Sequence, residues 1–320
     1  MKKLLIVTAL SLAAFGANAA NVYKTADTSV DVYGYAKGAH VLNQKAGKNG
    51  TDKSEAQIGI KARQQLNSNF ALLGQYEGEY DVNDTSARHW HNRKAFGGVD
   101  AGQFGTVTVG RQQGLVYNVA GMTDMMPEVV SGWSAAPDTG LLGRADSVIQ
   151  YQNTLGGVTF TGQYKLATTQ SVETGKSVNE GAAYGSSVVV NNVADSGVFV
   201  GGAFAHQELV ATNGSSDVYS VGAGWTNGKY YTAATSTVGK HVTGVKSFFD
   251  NEVVAQYTFD NGVTPSVGYV DSNAFGSRAK FAETGISYSF NKNVSADIDL
   301  GWDVTGQDNN QVKTSVKYRF

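Results

Sequence analysis

The chain has 320 residues with 39 glycines, no cysteine and a formal charge of −2. The missing cysteines exclude disulfides, thiol chemistry and cysteine-based metal sites, and the mildly acidic balance argues against nucleic acid as a partner. Beyond the first residues no apolar run approaches the roughly 20 residues of a transmembrane helix, so a membrane could be crossed only by a closed barrel of alternating strands.

Residues 1–19 carry Lys2 and Lys3, then the mostly apolar run from Leu4 to Ala14, then Ala17-Asn18-Ala19. That order of charged, greasy and small residues predicts a secretory signal peptide. The mature chain is expected to span 20–320 as one domain, with its charge shifted from −2 to −4 by the loss of Lys2 and Lys3.

Period-2 alternation then recurs along the chain. The reading predicts strands at Val30 to His40, Ala56 to Gln64, Phe70 to Tyr80, Arg93 to Asp100 and Thr106 to Arg111. It continues with Ser147 to Gln152, Val158 to Leu166, Ala182 to Val190, Val198 to His206, Val218 to Trp225 and Tyr230 to Thr235. The last strands are Glu252 to Phe259, Val263 to Val270, Phe281 to Phe290, Val294 to Trp302 and Val312 to Phe320. Roughly sixteen strands with turn-like links such as Asn227-Gly228 and Asn261-Gly262 alternating with longer polar ones predict an all-β, antiparallel transmembrane barrel. Aromatic residues near strand ends, among them Tyr257, Phe259, Tyr288, Phe290, Tyr318 and Phe320, suit the two interfacial girdles of such a barrel. On Arg93 to Asp100 the parity places Lys94 outward beside Phe96, where it would have to snorkel or meet another subunit. Small residues on the outward face of the first strand, Gly34, Ala36 and Gly38, permit close subunit packing.

Gln112 to Arg144 breaks the pattern. It holds Asp124, Glu128, Pro127, Pro137 and three of the four methionines, and so long a segment without regular alternation is more often functional than accidental. The expectation is that it folds inward and narrows the bore. Enzyme chemistry is poorly supported, because none of the five histidines (His40, His89, His91, His206, His241) sits in a nucleophile motif. His89 and His91 alone suggest a transition-metal pair at i, i+2, without a third ligand in view. No cofactor is expected.

Four stretches carry a family resemblance: Val22-Tyr23-Lys24 with Val30 to Gly34; Arg93 to Arg111 leading into Val116-Tyr117 and Thr123 to Glu128; Val254 to Gly262 with Pro265-Ser266; and Ser287 to Asn293. Together they resemble the general trimeric porins of the Gram-negative outer membrane. The resemblance implies an inward-folded third loop whose acids, Asp124 and Glu128, face a basic wall across a constriction that also includes Tyr117. Arg93 and Arg144 match members of that wall. Tyr35 and Gln57 stand where the family usually has bases, with Lys37 and Lys61 on the same faces as partial substitutes. Arg111 reads as outward at a strand end, where the resemblance implies a subunit contact with Asp84 as the candidate acid; a solvated rim arginine is the alternative.

The implied function is a water-filled channel for passive diffusion of ions and small hydrophilic solutes, with modest cation preference. Implied partners are two further copies in a homotrimer, outer-membrane lipid and lipopolysaccharide, and the barrel assembly machinery through the C-terminal strand ending at Phe320. The alternative is a structural or adhesive barrel whose external loops act as receptor sites.

Overall fold

A strand with one apolar and one polar face is stable in a bilayer only when the greasy face meets lipid and every backbone group is paired. The computed structural model describes residues 20–43, 50–82, 89–126, 138–171, 177–210, 214–242, 245–273, 278–306 and 309–320. Residues 1–19, Asp84, Pro127, Glu128 and Pro137 lie outside them.

The strands run in chain order as β1 (Ala20–Lys24), β2 (Thr28–Asn43), β3 (Thr51–Asp52), β4 (Glu55–Gln65), β5 (Ala71–Asp81), β6 (Trp90–Asp100) and β7 (Thr106–Gln113). After the short helix α1 (Tyr117–Ala120) come β8 (Arg144–Leu155), β9 (Val158–Lys165), β10 (Thr168–Ser171), β11 (Ser177–Glu180), β12 (Ala183–Val193) and β13 (Val198–Leu209). The chain finishes with β14 (Gly214–Thr226), β15 (Tyr230–Val242), β16 (Val245–Tyr257), β17 (Val263–Ser272), β18 (Ala279–Ser289), β19 (Val294–Asp303) and β20 (Gln311–Arg319). Sixteen long antiparallel strands form the closed wall, each paired with its neighbours in the chain, while β10 and β11 make a separate hairpin.

Closure is shared between β1 and β20. Strand β20 pairs with the second half of β2, from Tyr35↔Arg319 to Asn43↔Gln311, and β1 pairs with the first half, from Ala20↔Val32 to Lys24↔Ser29. At the junction the Gly34 amide donates to the Phe320 carbonyl and the Phe320 amide donates to the Gly34 carbonyl, both at 3.1 Å. A Cβ at Gly34 would stand 2.8 Å from the Phe320 ring and closer still to the Gln57 carbonyl. Gly34 is therefore filled by its own chain, while Ala36 and Gly38 remain exposed on the outward face.

Outside, Ile58, Ile60, Leu72, Val107, Val109, Val221, Val267 and Ile298 are exposed, as a lipid-facing band requires. Tyr257 and Phe259, and Tyr288 and Phe290, meet edge to face near the short turns, with centroids 4.6 and 4.7 Å apart. Two of those turns place Gly228 and Gly262 at φ +90 and +87, a region open to glycine and costly for most other residues.

Every predicted strand has a counterpart, yet several run longer. Tyr230 to Thr235 extends to Val242, and the strand placed at Glu252 starts at Val245. Those extra residues lie toward the long-loop rim, where water on both faces removes the demand for alternation.

A further departure concerns β6. The register passes from Glu77↔Lys94 to Gly78↔Asn92, so Arg93 is the extra residue of a β-bulge. The bulge reverses the parity beyond it. Lys94 consequently turns inward, with Nζ 3.4 Å from Glu77 Oε2, and needs neither snorkelling nor a second subunit. Phe96 stands opposite Gln75 on the same inner face.

Candidate functional site

The segment between β7 and β8 enters the bore and lies against the inner wall of β12–β15 through α1. Leu115, Val116 and Val119 are fully buried in one cluster with Leu141, Val148, Ala183, Ala205, Val218 and Phe248. Met122 and Met126 join a second cluster with Phe199, Tyr231, Ala233 and Val254. Removing such side chains from water contributes roughly 1.5–3 kcal/mol apiece. The wall makes room with glycines: a Cβ at Gly222 would lie 2.9 Å from Met122 Sδ, and one at Gly201 2.9 Å from Met122 Cε.

Polar contacts fix the register of this seat. The Gln163 carboxamide oxygen accepts from the Leu115 amide at 2.8 Å, and its nitrogen donates to the Gln113 carbonyl at 2.7 Å. Asn118 donates to Ser187 Oγ at 2.9 Å, Tyr231 donates to the Met122 carbonyl at 2.7 Å, and the Thr123 hydroxyl donates to Glu252 Oε2 at 2.6 Å. The apolar side of the loop is thus held to the wall while Asp124 stays exposed.

On the bore side Tyr117 donates to Asp124 Oδ2 at 2.6 Å. Burial raises the Tyr117 phenol well above its ordinary value and the Asp124 carboxylate raises it further, whereas the charges of Arg93 and Arg144 pull the other way. That combination places two loop residues and two matched bases within electrostatic reach of one another. Arg144 itself caps the loop's return. Its amide and Nε donate to the Asp138 carboxylate at 2.8 and 3.2 Å.

Arg111 is engaged within its own chain, by Asp138 at 2.7 Å and Asp146 at 3.0 Å, and donates to the Asn92 carbonyl at 2.7 Å. Arg111, Asp138 and Asp146 line a cleft at the root of the loop together with Arg144, Lys165 and Glu180. The metal reading of His89 and His91 fails on geometry. His89 lies on the ring of outward Tyr80, with centroids 5.5 Å apart, whereas His91 pairs with inward Glu79. Among the described residues no group of three metal-ligating side chains occurs.

The opposite wall, from β2 and β4 to β6, holds Lys37, Lys61, Arg93 and Lys94, and also three carboxylates that the sequence reading passed over. Lys37 pairs with Glu55 at 2.8 Å; Arg93 pairs with Glu77 at 3.0 Å and Glu79 at 2.9 Å. Tyr33 donates to Glu77 at 2.8 Å, and Lys61 lies 4.7 Å above the Tyr33 ring. Tyr35 Oη stands 2.8 Å from Glu55 Oε1 and 3.1 Å from Glu79 Oε2. The signal was available in the parity of β5, whose alternate positions Gln75, Glu77 and Glu79 form its polar face.

A closed sixteen-stranded barrel with a lipid-facing band and an inward loop crowding charged side chains is a membrane pore. Residues 25–319 match the Gram-negative porin family model, and the chain belongs to that family. It is 29% identical to outer membrane porin PhoE of Enterobacter cloacae, over 97% of this chain and 95% of that one. The OmpF structure from Salmonella typhi, solved in complex with daunomycin, superposes with a TM-score of 0.81 at 24% identity, covering 94% of this chain and all of that one. In-vitro folded OmpT of Vibrio cholerae, described in its trimer form, superposes at 0.64 with 15% identity, covering 92% of this chain and 100% of the other. The protein is an outer-membrane channel for passive diffusion and carries out no enzymatic reaction.

Proposed function

We propose that the channel passes ions and small hydrophilic solutes with a modest preference for cations, and that its filter comprises Asp124, Glu128 and Tyr117 on the loop, Arg144 at the loop's root, and Arg93, Lys37 and Lys61 across the bore. The observation carrying this reading is the Tyr117–Asp124 hydrogen bond at 2.6 Å, whose phenol also lies in the field of Arg93 and Arg144. Fixed charges lining a wet constriction sort ions by sign and orient dipolar solutes, with no bond made or broken. Replacement of family bases by Tyr35 and Gln57 tips the balance toward cations.

Planar bilayer recording tests the filter. Asp124→Asn combined with Glu128→Gln should lower the K⁺/Cl⁻ permeability ratio; a ratio equal to that of the parent would refute the assignment.

The working unit is proposed to be a homotrimer, read as closure in three equal conductance steps. An intersubunit contact between Arg111 and Asp84 requires Arg111 to share its guanidinium with Asp138 and Asp146, which its five N–H donors permit. Residues 1–19 are proposed to be removed as a signal peptide. The strand ending at Phe320 is proposed to engage the assembly machinery, and the outward band to meet outer-membrane lipid and lipopolysaccharide.

A further inference from the structure

The wall facing the loop differs from a plain row of bases. Around Tyr33 and Tyr35 the cations Lys37, Lys61, Arg93 and Lys94 share the inner face of β2 and β4 to β6 with Glu55, Glu77 and Glu79; farther along the same face Arg63 is paired with Asp100 at 2.8 Å, and Lys317 of β20 lies 5.1 Å above the Tyr35 ring. Glu77 is almost wholly buried, at 2% exposure, and is enclosed by Arg93, Lys94 and the Tyr33 hydroxyl. Glu55 and Glu79 are different. Their side chains keep 24% and 17% exposure, as do those of their partners Lys37 (9%) and Arg93 (25%), so all four charges are felt in the bore.

Tyr35 joins the two pairs. It stands between Glu55 and Glu79 at 2.8 and 3.1 Å, yet it has one proton to give. The shorter contact assigns that proton to Glu55, and Glu79 relies on Arg93 Nη1 at 2.9 Å. Arg93 Nε is already committed to Glu77 at 3.0 Å, so the guanidinium is drawn along the strands toward β5. Against the positive charges of Lys37, Lys61, Arg93 and Lys94 stand three carboxylates, and each close carboxylate cancels most of its partner's field beyond a few ångströms, so the row presents the loop with far less than its count of bases; Lys317 beside Tyr35 adds a further positive charge.

We infer that Glu55 and Glu79, bridged by Tyr35, are specificity-determining residues that compensate Lys37 and Arg93 on the wall opposite the loop, leaving the loop acids to set the sign of ion preference. The inference rests on the filter reading above. It adds that weak anion affinity is built into the barrel wall by these two carboxylates as well as by the absent bases. Strongly anionic solutes such as inorganic phosphate gain no binding at this wall, whereas cationic and neutral ones pass without a penalty there.

Glu55→Gln with Glu79→Gln keeps side-chain size and removes both compensating charges. In bilayers at about 0.1 M KCl, where the Debye length is near 10 Å, the K⁺/Cl⁻ permeability ratio should fall by roughly two- to threefold; at about 1 M, where it is near 3 Å, the parent and the variant should converge. Restoring one charge as Glu79→Asp beside Glu55→Gln should bring the ratio back toward the parent. A merely structural role for the two carboxylates predicts a change in bore that salt does not erase. A conducting double variant whose ratio equals the parent's, or whose ratio change persists at high salt, overturns the inference.

Should the double variant fail to assemble, Lys37→Gln and Lys37→Gln with Glu55→Gln carry the test: the first should raise the ratio at low salt and the second should return it toward the parent, and a second variant whose ratio equals that of Lys37→Gln overturns compensation. The loop-acid variant separates the two readings. If it leaves the ratio unchanged while the wall variants shift it, the filter assignment fails and the compensating pairs stand; the converse result removes only the pairs.

Discussion

Tyr117 shows how a single side chain ties the loop to its electrostatic surroundings. Its phenol is held protonated by burial and by Asp124, so the 2.6 Å hydrogen bond has the charged carboxylate as acceptor. Bonds of that kind contribute about 1.5–3 kcal/mol. Because the folded state raises this acid above the ordinary phenol value of about 10, its stabilisation is complete below that pH and is lost as the pH climbs through the raised value. In the folded channel the phenol therefore keeps its proton through about pH 10, and open-channel noise of the parent should stay flat across that ordinary phenol value. Tyr117→Phe removes the bond at every pH and should raise the noise at neutral pH, as recorded from single channels; noise equal to the parent's would show that the bond does not steady the loop. Asp124 was singled out in the sequence by its loop motif. Glu55 and Glu79 were not singled out, since an acid on a polar strand face has no local mark that separates a solvated residue from one paired across three strands.

At the scale of elements, the loop and the wall behind it are complementary in shape as well as in polarity. Gly201 and Gly222 sit beneath Val119 and Met122, and Gly185 beneath Leu115, with a Cβ at that last position reaching Leu115 Cδ2 at 3.0 Å. Gly222→Leu should lift the loop from its seat, because the added atoms have no room and overpacking of this kind costs about 1–3 kcal/mol. The expected outcome is a larger single-channel conductance and a higher exclusion limit for neutral solutes, with the barrel itself intact by circular dichroism. An unchanged exclusion limit would show that the seat yields elsewhere. Inward folding was legible as an interruption of alternation, but the seat was not, because glycines within a strand do not announce what lies over them. The β6 bulge was equally hidden. A one-residue shift reverses which face Lys94 occupies, and only the pairing with β5 displays it.

For the whole molecule, closure decides everything else. The two ends meet at Gly34 and Phe320 through a pair of 3.1 Å hydrogen bonds, and the barrel has no free edge only because β1 and β20 divide β2 between them. Deleting Phe320 should leave the Gly34 amide and carbonyl without their partners at membrane depth, where each unsatisfied group costs several kcal/mol. The folded band on unheated gels should then appear at a lower temperature limit and in lower yield than for the parent. An undiminished heat resistance would mean that β1 alone holds the seam.

The amino-acid sequence by itself determined the class of fold: the number of wall strands, the faces of the strands other than bulged β6, the short and long links and the irregular loop all follow from period-2 alternation, which is a local property of the chain. It also marked Asp124, Arg93 and Arg144 through motifs contiguous in sequence. Tertiary structure alone decided which charges meet. Glu79 reaches Arg93 across a strand pair displaced by a bulge, Glu55 reaches Lys37 across another, and Tyr35 links them at contacts of 2.8 and 3.1 Å. Register between strands depends on the closure of the whole barrel, and electrostatic compensation acts over distances of a few ångströms that the spacing of residues along the chain does not encode.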